Sequence, residues 1–134
     1  MAKIIDIEGI GPAYAKKLAG AGVSTTGRLL KIAANAAGRK DLASQADVTT
    51  KQVLEWVNRA DLMRIKGVGT QYSDLLEATG VDTVVELSRR NAENLFAAMT
   101  DLNAAKKLVR QAPSLDQVKD WISQASSLPR VITH

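Results

Sequence analysis

Two glycine-rich pentapeptides are the residues of this chain whose types and spacing suggest chemistry. They are Ile-Glu-Gly-Ile-Gly at residues 7–11 and Ile-Lys-Gly-Val-Gly at residues 65–69, and we call them the first and second glycine turns. Glycine adopts backbone conformations closed to other residues and leaves no Cβ in the path of a ligand. Each turn leads into a helical pattern, and the first N–H groups of a helix are unpaired and partly positive. The pattern therefore predicts an anion site, suited to phosphate, at each turn.

The candidate contacts are the turn glycines, through their backbone N–H groups, and the lysines that lie nearest to them in the sequence. They are Gly9, Gly11, Lys16, Lys17, Lys66, Gly67 and Gly69. The apolar residues of the turns are predicted to point inward and to fix the shape of the backbone. They are Ile7, Ile10, Ile65 and Val68. The alternative is that the glycines only make a sharp turn between helices.

The two turns belong to a longer internal repeat. After each turn the same residue types follow in the same order, Tyr, Leu, Gly-Val, Thr and Leu, at an offset of 58 positions. A second match, between residues 49–60 and 114–125, has an offset of 65, so the second copy carries seven extra residues before its Trp-containing helix. We predict a first unit at residues 1–61, a second at 62–127, and a tail at 128–134 along the surface.

Helical signals dominate the rest of the sequence. Pro12 occupies a first helical position, where its missing N–H costs nothing. Three segments are typical of capping boxes that begin helices; they start at Thr49, Thr83 and Ser114. Gly22 and Gly38 are predicted to end helices. Only residues 3–7 suggest a short extended segment, and the pattern as a whole predicts an all-α fold.

The aromatic residues fit a structural role better than a ligand-binding one. Trp56 and Trp121 lie on apolar helix faces of the i, i+3, i+4, i+7 type. We expect both in the core, although stacking on nucleic-acid bases is the alternative. Tyr14 and Tyr72, one turn into the helices that follow the glycine turns, are expected to pack against a partner helix.

Composition narrows the classes of function. Of the 134 residues, 46% are hydrophobic and 24% are charged, which is sufficient for a folded core. The chain has no Cys, and its one His is His134, so thiol chemistry is excluded and the commonest general base and metal ligand is confined to the last position. We therefore expect no enzyme and no metal site. The absence of a signal peptide or a long apolar segment indicates a cytoplasmic protein outside the membrane.

The net charge of +4 is unevenly distributed. Residues 1–60 hold nine basic and five acidic groups, whereas the remainder holds nine of each. Such an asymmetry suggests a polyanionic partner, with a solubility role as the alternative. Two basic pairs in the first half, Arg28 with Lys31 and Arg39 with Lys40, add to it. The doublets at residues 89–90 and 106–107 are expected on solvated faces.

The duplicated apolar-x-Gly-apolar-Gly pattern resembles the helix-hairpin-helix motif. The resemblance implies two tandem repeats of about 60 residues packed into one compact SAM-like helical body, and hairpins that grip the nucleic-acid backbone without reading sequence. DNA-binding members often place Lys or Arg two residues after the second hairpin glycine, where this chain has Ala13 and Gln71. In some relatives the hairpin carbonyls hold a monovalent cation; the matching carbonyls belong to Ile5, Ile7, Ile10, Met63, Ile65 and Val68.

From end to end the chain also resembles an uncharacterised bacterial family defined only as a domain of unknown function with helix-hairpin-helix repeats. The resemblance rests on residues 55–69 and on the ending Leu-Pro-Arg-Val at residues 128–131. The function that we expect is sequence-non-specific binding of nucleic acid, foremost double-stranded DNA. A protein-interaction or scaffold module of the same fold is the alternative, and a structured-RNA binder is a third. The sequence leaves the partner and the oligomeric state open.

Overall fold

The helices of the protein follow the capping and periodicity signals of its sequence. The computed structural model describes residues 2–133. That range begins with a 3₁₀ turn and continues with eight α-helices: Ile4–Asp6 (3₁₀), α1 Pro12–Gly20, α2 Thr26–Ile32, α3 Ala36–Ala46, α4 Thr50–Leu62, α5 Thr70–Ala78, α6 Val84–Ser88, α7 Ala92–Lys106 and α8 Leu115–Ser127. The described residues contain no β-strand, so the predicted all-α class is confirmed. His134, the only histidine, lies outside them.

Side-chain caps explain where most of the helices begin. An N-cap side chain that accepts a hydrogen bond from the N2 or N3 amide satisfies one of the unpaired donors. Six of the eight α-helices in residues 2–133 have such a cap, from Thr25, Asn35, Thr49, Thr83, Asn91 and Ser114. Helices α1 and α5 instead have Gly11 and Gly69 at the N-cap position, and glycine has no side-chain acceptor.

The predicted capping boxes form in two cases out of three. At the starts of α4 and α8, Thr49 and Ser114 each exchange both hydrogen bonds with the glutamine three residues on. At α6, Thr83 accepts from the amide of Glu86, but the Glu86 carboxylate accepts from the amide of Asp82. The third helix is therefore capped without a reciprocal box.

The chain divides into two units, residues 2–61 with 131–133 and residues 62–130. The first contains α1 to α3 and α4 up to its last residue, and the second contains α5 to α8. Each unit has its own buried apolar residues and its own tryptophan. Trp56 is 3% exposed and Trp121 is 1% exposed, which confirms the predicted core positions. The largest buried side chains around Trp121 are Leu62, Ile65, Leu75, Leu76, Leu87, Leu95 and Met99.

Helices α1 and α5 end in the same way. After α1 the amide of Val23 donates to the carbonyl of Leu18, and Gly22 has φ +86°. After α5 the amide of Val81 donates to the carbonyl of Leu76, and Gly80 has φ +93°. This is the hydrogen-bond pattern of a Schellman helix end, which favours glycine because of the positive φ. The prediction of Gly22 as a helix stop is confirmed.

Two local predictions were wrong. Gly38 does not end a helix; it lies in the first turn of α3, where its amide donates to the Asn35 cap. A Cβ at this position would lie 2.0 Å from the carbonyl oxygen of Ile32, so close backbone approach explains the glycine. Residues 3–7 do not form a continuous extended segment either. Lys3 and Ile7 are extended and Lys3 makes an isolated antiparallel bridge to Thr25, but Ile4–Asp6 between them form the 3₁₀ turn.

We expected residues 128–134 to lie along the surface, but residues 131–133 belong to the first unit and one of them is buried in it. Ile132 is only 4% exposed, and the amide of Thr133 donates to the carbonyl of Ala34 at 2.8 Å. The guanidinium of Arg39 donates to the carbonyls of Ala33, Ala34 and Thr133 at 2.7–3.1 Å. The buried Arg39 therefore links Thr133 to the α2–α3 connection through hydrogen bonds.

Candidate functional site

The backbone of the two glycine turns is the same in both units. In the first, the amide of Ile10 donates to the carbonyl of Ile7 at 3.1 Å, and Gly9 between them has φ +91°. In the second, Val68 donates to Ile65 at the same distance, and the intervening glycine has φ +95°. A positive φ at this position is the geometry of a type II turn. The predicted inward residues, Ile7, Ile10, Ile65 and Val68, are each at most 4% exposed.

A tyrosine–tryptophan pair packs next to each turn. The rings of Tyr14 and Trp56 lie 5.2 Å apart with an interplanar angle of 57°, and those of Tyr72 and Trp121 lie 5.1 Å apart at 54°. Tilted pairs at this separation are favourable. The indole Nε1 of each tryptophan lies close to the first glycine of its turn, Gly9 or Gly67. The expected packing role of the tyrosines is confirmed.

The second glycine of each turn has no conformational reason to be glycine. Gly11 has φ −86° and Gly69 has φ −105°, values that other residues adopt readily. A Cβ at either position would meet no atom within 4 Å. Both glycines are exposed, and each is the N-cap of the helix that follows. The helix start is thus left open to solvent at both turns.

The second turn is fixed by a side chain that sequence reasoning missed. The amide oxygen of Gln124 accepts from the backbone N–H of Lys66 at 2.9 Å, and its nitrogen donates to the carbonyl of Lys66 at 3.1 Å. The same nitrogen donates to Asp120 at 2.8 Å. Helix α8 therefore holds the backbone of the turn in place, while the side chain of Lys66 is exposed.

The predicted lysines of the first unit differ in their surroundings. Lys16 is exposed on α1. Lys17 Nζ lies 3.9 Å from the Asp47 carboxylate, 3.3 Å from the Asp47 carbonyl and 5.8 Å from the centre of the Tyr14 ring. Part of the positive charge predicted for the first turn is therefore compensated by Asp47.

The basic pair at Arg39 and Lys40 does not present two charges to solvent as the sequence suggested. Arg39 is 6% exposed and bonded to three carbonyls. Burial lowers the pKa of the Arg39 guanidinium below its ordinary value, but arginine stays protonated at neutral pH. Its charge is held inside the unit, whereas Lys40 is exposed.

A cationic side chain lies beside the second turn without being near it in sequence. The α7–α8 loop, residues 107–114, is longer than the three-residue α3–α4 connection of the first unit and holds much of the insertion in the second copy. Arg110 of this loop lines a cleft together with Gly69, Thr70 and Gln71. The insertion itself was the available signal, because it predicts a longer connection between the matched helices in the second copy.

The carbonyls considered for a monovalent cation belong to these same turns. Ile7 and Ile65 each accept the hydrogen bond that closes their turn, which leaves one lone pair on each for another partner. A cation at the carbonyls of Ile5, Ile7 and Ile10, or of their counterparts in the second turn, therefore stays a prediction. Within residues 2–133 no three His, Cys, Asp or Glu side chains converge as a metal site would require.

Comparison with known proteins gives a family and no activity. No curated protein and no solved structure matches the chain. In the part of the chain that the structure describes, no helix is both long enough and apolar enough to cross a membrane. One family model, described as a domain of unknown function, matches residues 8–128 and so includes the glycines of both turns and all eight α-helices. The chain belongs to this family, DUF4332.

Proposed function

We propose that the protein binds the phosphate backbone of nucleic acid, foremost double-stranded DNA, through its two glycine turns and without reading base sequence. In this proposal each unit contains one helix-hairpin-helix repeat built around its turn. Backbone N–H groups at Gly9, Gly11, Gly67 and Gly69 contact phosphate oxygens, and Lys16, Lys17 and Lys66 add positive charge. Contacts of this kind position a protein on nucleic acid but carry no sequence information.

The observation that carries the proposal is the glycine at the N-cap of α1 and α5. The other six α-helices in residues 2–133 begin with a side-chain cap, and these two do not. Neither the φ angle nor the surrounding space requires glycine at Gly11 or Gly69. A capping side chain there would add a few tenths of a kcal/mol. Close approach of a phosphate to the open helix start accounts for the missing Cβ.

An interaction module that uses an apolar surface has less support. Among the described residues, the exposed large hydrophobic side chain is that of Ile5, with 46% exposure. Single exposed hydrophobic residues are ordinary on protein surfaces, whereas protein-binding sites show contiguous apolar patches. A single exposed large hydrophobic side chain among residues 2–133 therefore favours a polyanionic partner over an apolar one.

The test is a fluorescence-anisotropy titration of two labelled duplexes of unrelated sequence at about 50 and about 200 mM salt. We expect equal affinities for the two sequences, a Kd of roughly 10⁻⁴–10⁻⁶ M, and a steep loss with salt. The double variant Gly11→Leu with Gly69→Leu should lose binding and keep its helix content. Gly20→Leu is the matched control, because this glycine also lies in open space, at the opposite end of α1.

Two results would contradict the proposal. If the double variant binds duplex DNA as the unchanged protein does, then the glycine turns are not the site. If the unchanged protein binds no nucleic acid at about 50 mM salt, the function is a different one, and a protein partner becomes the hypothesis to test.

A further inference from the structure

The composition places the excess of positive charge in the first half of the chain, but the charges near the two glycine turns favour the second unit. In the first unit, Asp47 ends α3 in a left-handed conformation, with φ +56°, and pairs with Lys17. In the second unit, Lys107 ends α7 in the same conformation, with φ +51°. The left-handed C-cap residue therefore carries a negative charge in one unit and a positive charge in the other. The turns differ in the same sense, with Glu8 in the first and Lys66 in the second.

The α7–α8 loop brings further positive charge to the second turn and is tied there. The hydroxyl of Tyr72, on α5, donates to the carbonyl of Gln111 at 3.0 Å. This bond holds the loop beside α5, one residue from Arg110. Arg110 lines two adjoining clefts that share Gln71. Their other lining residues are Gly69, Thr70, Tyr72 and Gln111 in one, and Asn103, Ala104, Lys107, Leu108 and Val109 in the other.

Both cations of the loop are available to a ligand. Lys107 and Arg110 are exposed, and within residues 2–133 neither side chain makes an ion pair or a hydrogen bond. No acidic residue lines either cleft. The clefts therefore present a positive, partly amide-lined surface, which complements a phosphate backbone and offers no acidic group to repel it.

We propose that this basic cleft, with Arg110 and Lys107, makes the second glycine turn the principal nucleic-acid contact of the protein. The inference rests on the proposed function and assigns residues that the turns alone do not supply. DNA-binding hairpins often have Lys or Arg at the position that Gln71 occupies here. Arg110, from the loop, supplies a positive charge next to that position. The planar guanidinium suits two oxygens of one phosphate, whereas Lys107 acts as a point charge on a neighbouring phosphate.

The experiment measures the salt dependence of duplex binding for a double variant, Lys107→Asn with Arg110→Gln. Asparagine tolerates the left-handed conformation at position 107. Loss of two phosphate contacts should make the negative slope of log K against log salt shallower by about two. The ratio of the affinity at 50 mM salt to that at 200 mM salt should then fall by about 12-fold. The matched control, Arg89→Gln with Arg130→Gln, removes the same charge from two other exposed positions of this unit and should keep the original slope.

A third variant compares the two units. Lys16→Gln with Lys17→Gln removes two charges next to the first turn, and we expect a smaller change in slope than for Lys107 and Arg110. Circular dichroism and thermal unfolding should show unchanged folding for all three variants, because every substituted side chain is exposed or partly exposed.

The outcomes separate this inference from the function on which it rests. If the protein binds duplex DNA and loses binding when Gly69 is replaced, but keeps its salt slope in the Lys107 and Arg110 variant, then the cleft is not part of the site. An equal fall in slope for the control variant would show general electrostatic attraction and would also overturn the inference. Absence of DNA binding by the unchanged protein would refute both.

Discussion

Replacing Gly69 by aspartate should stabilise the protein and weaken nucleic-acid binding. Gly69 already has the extended backbone of an N-cap residue, with φ −105° and ψ −157°, and a Cβ there meets no neighbour. An aspartate can therefore adopt the position without strain and accept from the first amides of α5. The same amides are the ones proposed to face a phosphate. One substitution thus gives opposite effects on folding and on function.

The expected gain in stability is about 1 kcal/mol. A capping side chain adds a few tenths over glycine, a negative charge at a helix start adds about 0.3–1, and loss of glycine freedom in the unfolded chain adds about 0.4–1. These terms overlap, so we take their lower range. For a unit the size of residues 62–130, a change of about 1 kcal/mol raises Tm by about 4–8 °C. Gly11→Asp in the other unit should give a similar, additive gain.

A series at position 69 tests the reasoning with two assays, urea unfolding and anisotropy titration of duplex DNA. Stability should follow the order Asp and Asn, then Gly, then Ala, because alanine is a poor N-cap. Affinity for DNA should follow the order Gly, Ala, Asn, Asp, since asparagine occupies the amides and aspartate also repels phosphate. Aspartate at this position with undiminished DNA affinity would refute the idea that the open helix start binds phosphate.

Three further predictions follow from the contacts described above. Gly9→Ala should destabilise the first unit by roughly 1–2 kcal/mol, because the residue has a positive φ. Gly67→Ala should destabilise the second unit by about 1 kcal/mol more than that, because its Cβ would also lie 3.1 Å from the indole nitrogen of Trp121. Equal costs in urea unfolding would contradict this. Arg39→Met should cost roughly 2–4 kcal/mol, because it removes three hydrogen bonds that a charged donor makes to buried or partly buried carbonyls; an unchanged urea midpoint would show that these bonds do not stabilise the unit. Asp47→Asn removes the carboxylate charge beside Lys17 and should steepen the salt dependence of DNA binding by up to about one unit of slope; an unchanged slope would contradict a phosphate contact at Lys17.

Sequence reasoning succeeded where the structure is decided locally. The turn residues, the start of α1 at Pro12 and the side-chain caps each depend on neighbours within about four residues. Periodicity was sufficient for Trp56 and Trp121, because an apolar stripe on a helix must face its unit's core. The repeat helped further, since the same local solution occurs twice and each copy supports the assignment of the other.

The predictions failed where a residue depends on distant backbone. Gly38 has the sequence context of a helix stop, but it is glycine because the carbonyl of Ile32 passes close to it. Arg39 has the composition of a surface cation, but it reaches the carbonyl of Thr133, which is 94 positions away in the chain. Arg110 escaped notice for the same reason, because only the folded α7–α8 loop brings it beside Gly69. None of these proximities leaves a periodic signal in the sequence, and the insertion in the second copy indicates a longer loop but not where Arg110 lies.

The net charge of each half is a poor guide to phosphate binding, because binding depends on where the fold places each charge. The first half of the chain holds the whole excess of positive charge, yet Arg39 is buried and Lys17 lies against Asp47. The second half is neutral, yet Arg110 shares a cleft with Gly69, Lys107 lines the adjoining cleft, and neither has an ion partner among the described residues. Phosphate binding depends on cations within a Debye length of about 8–10 Å of the contact and hardly on the total. We therefore expect most of the proposed phosphate contacts on the second unit, and the salt slope of each charge variant measures how many contacts that variant loses.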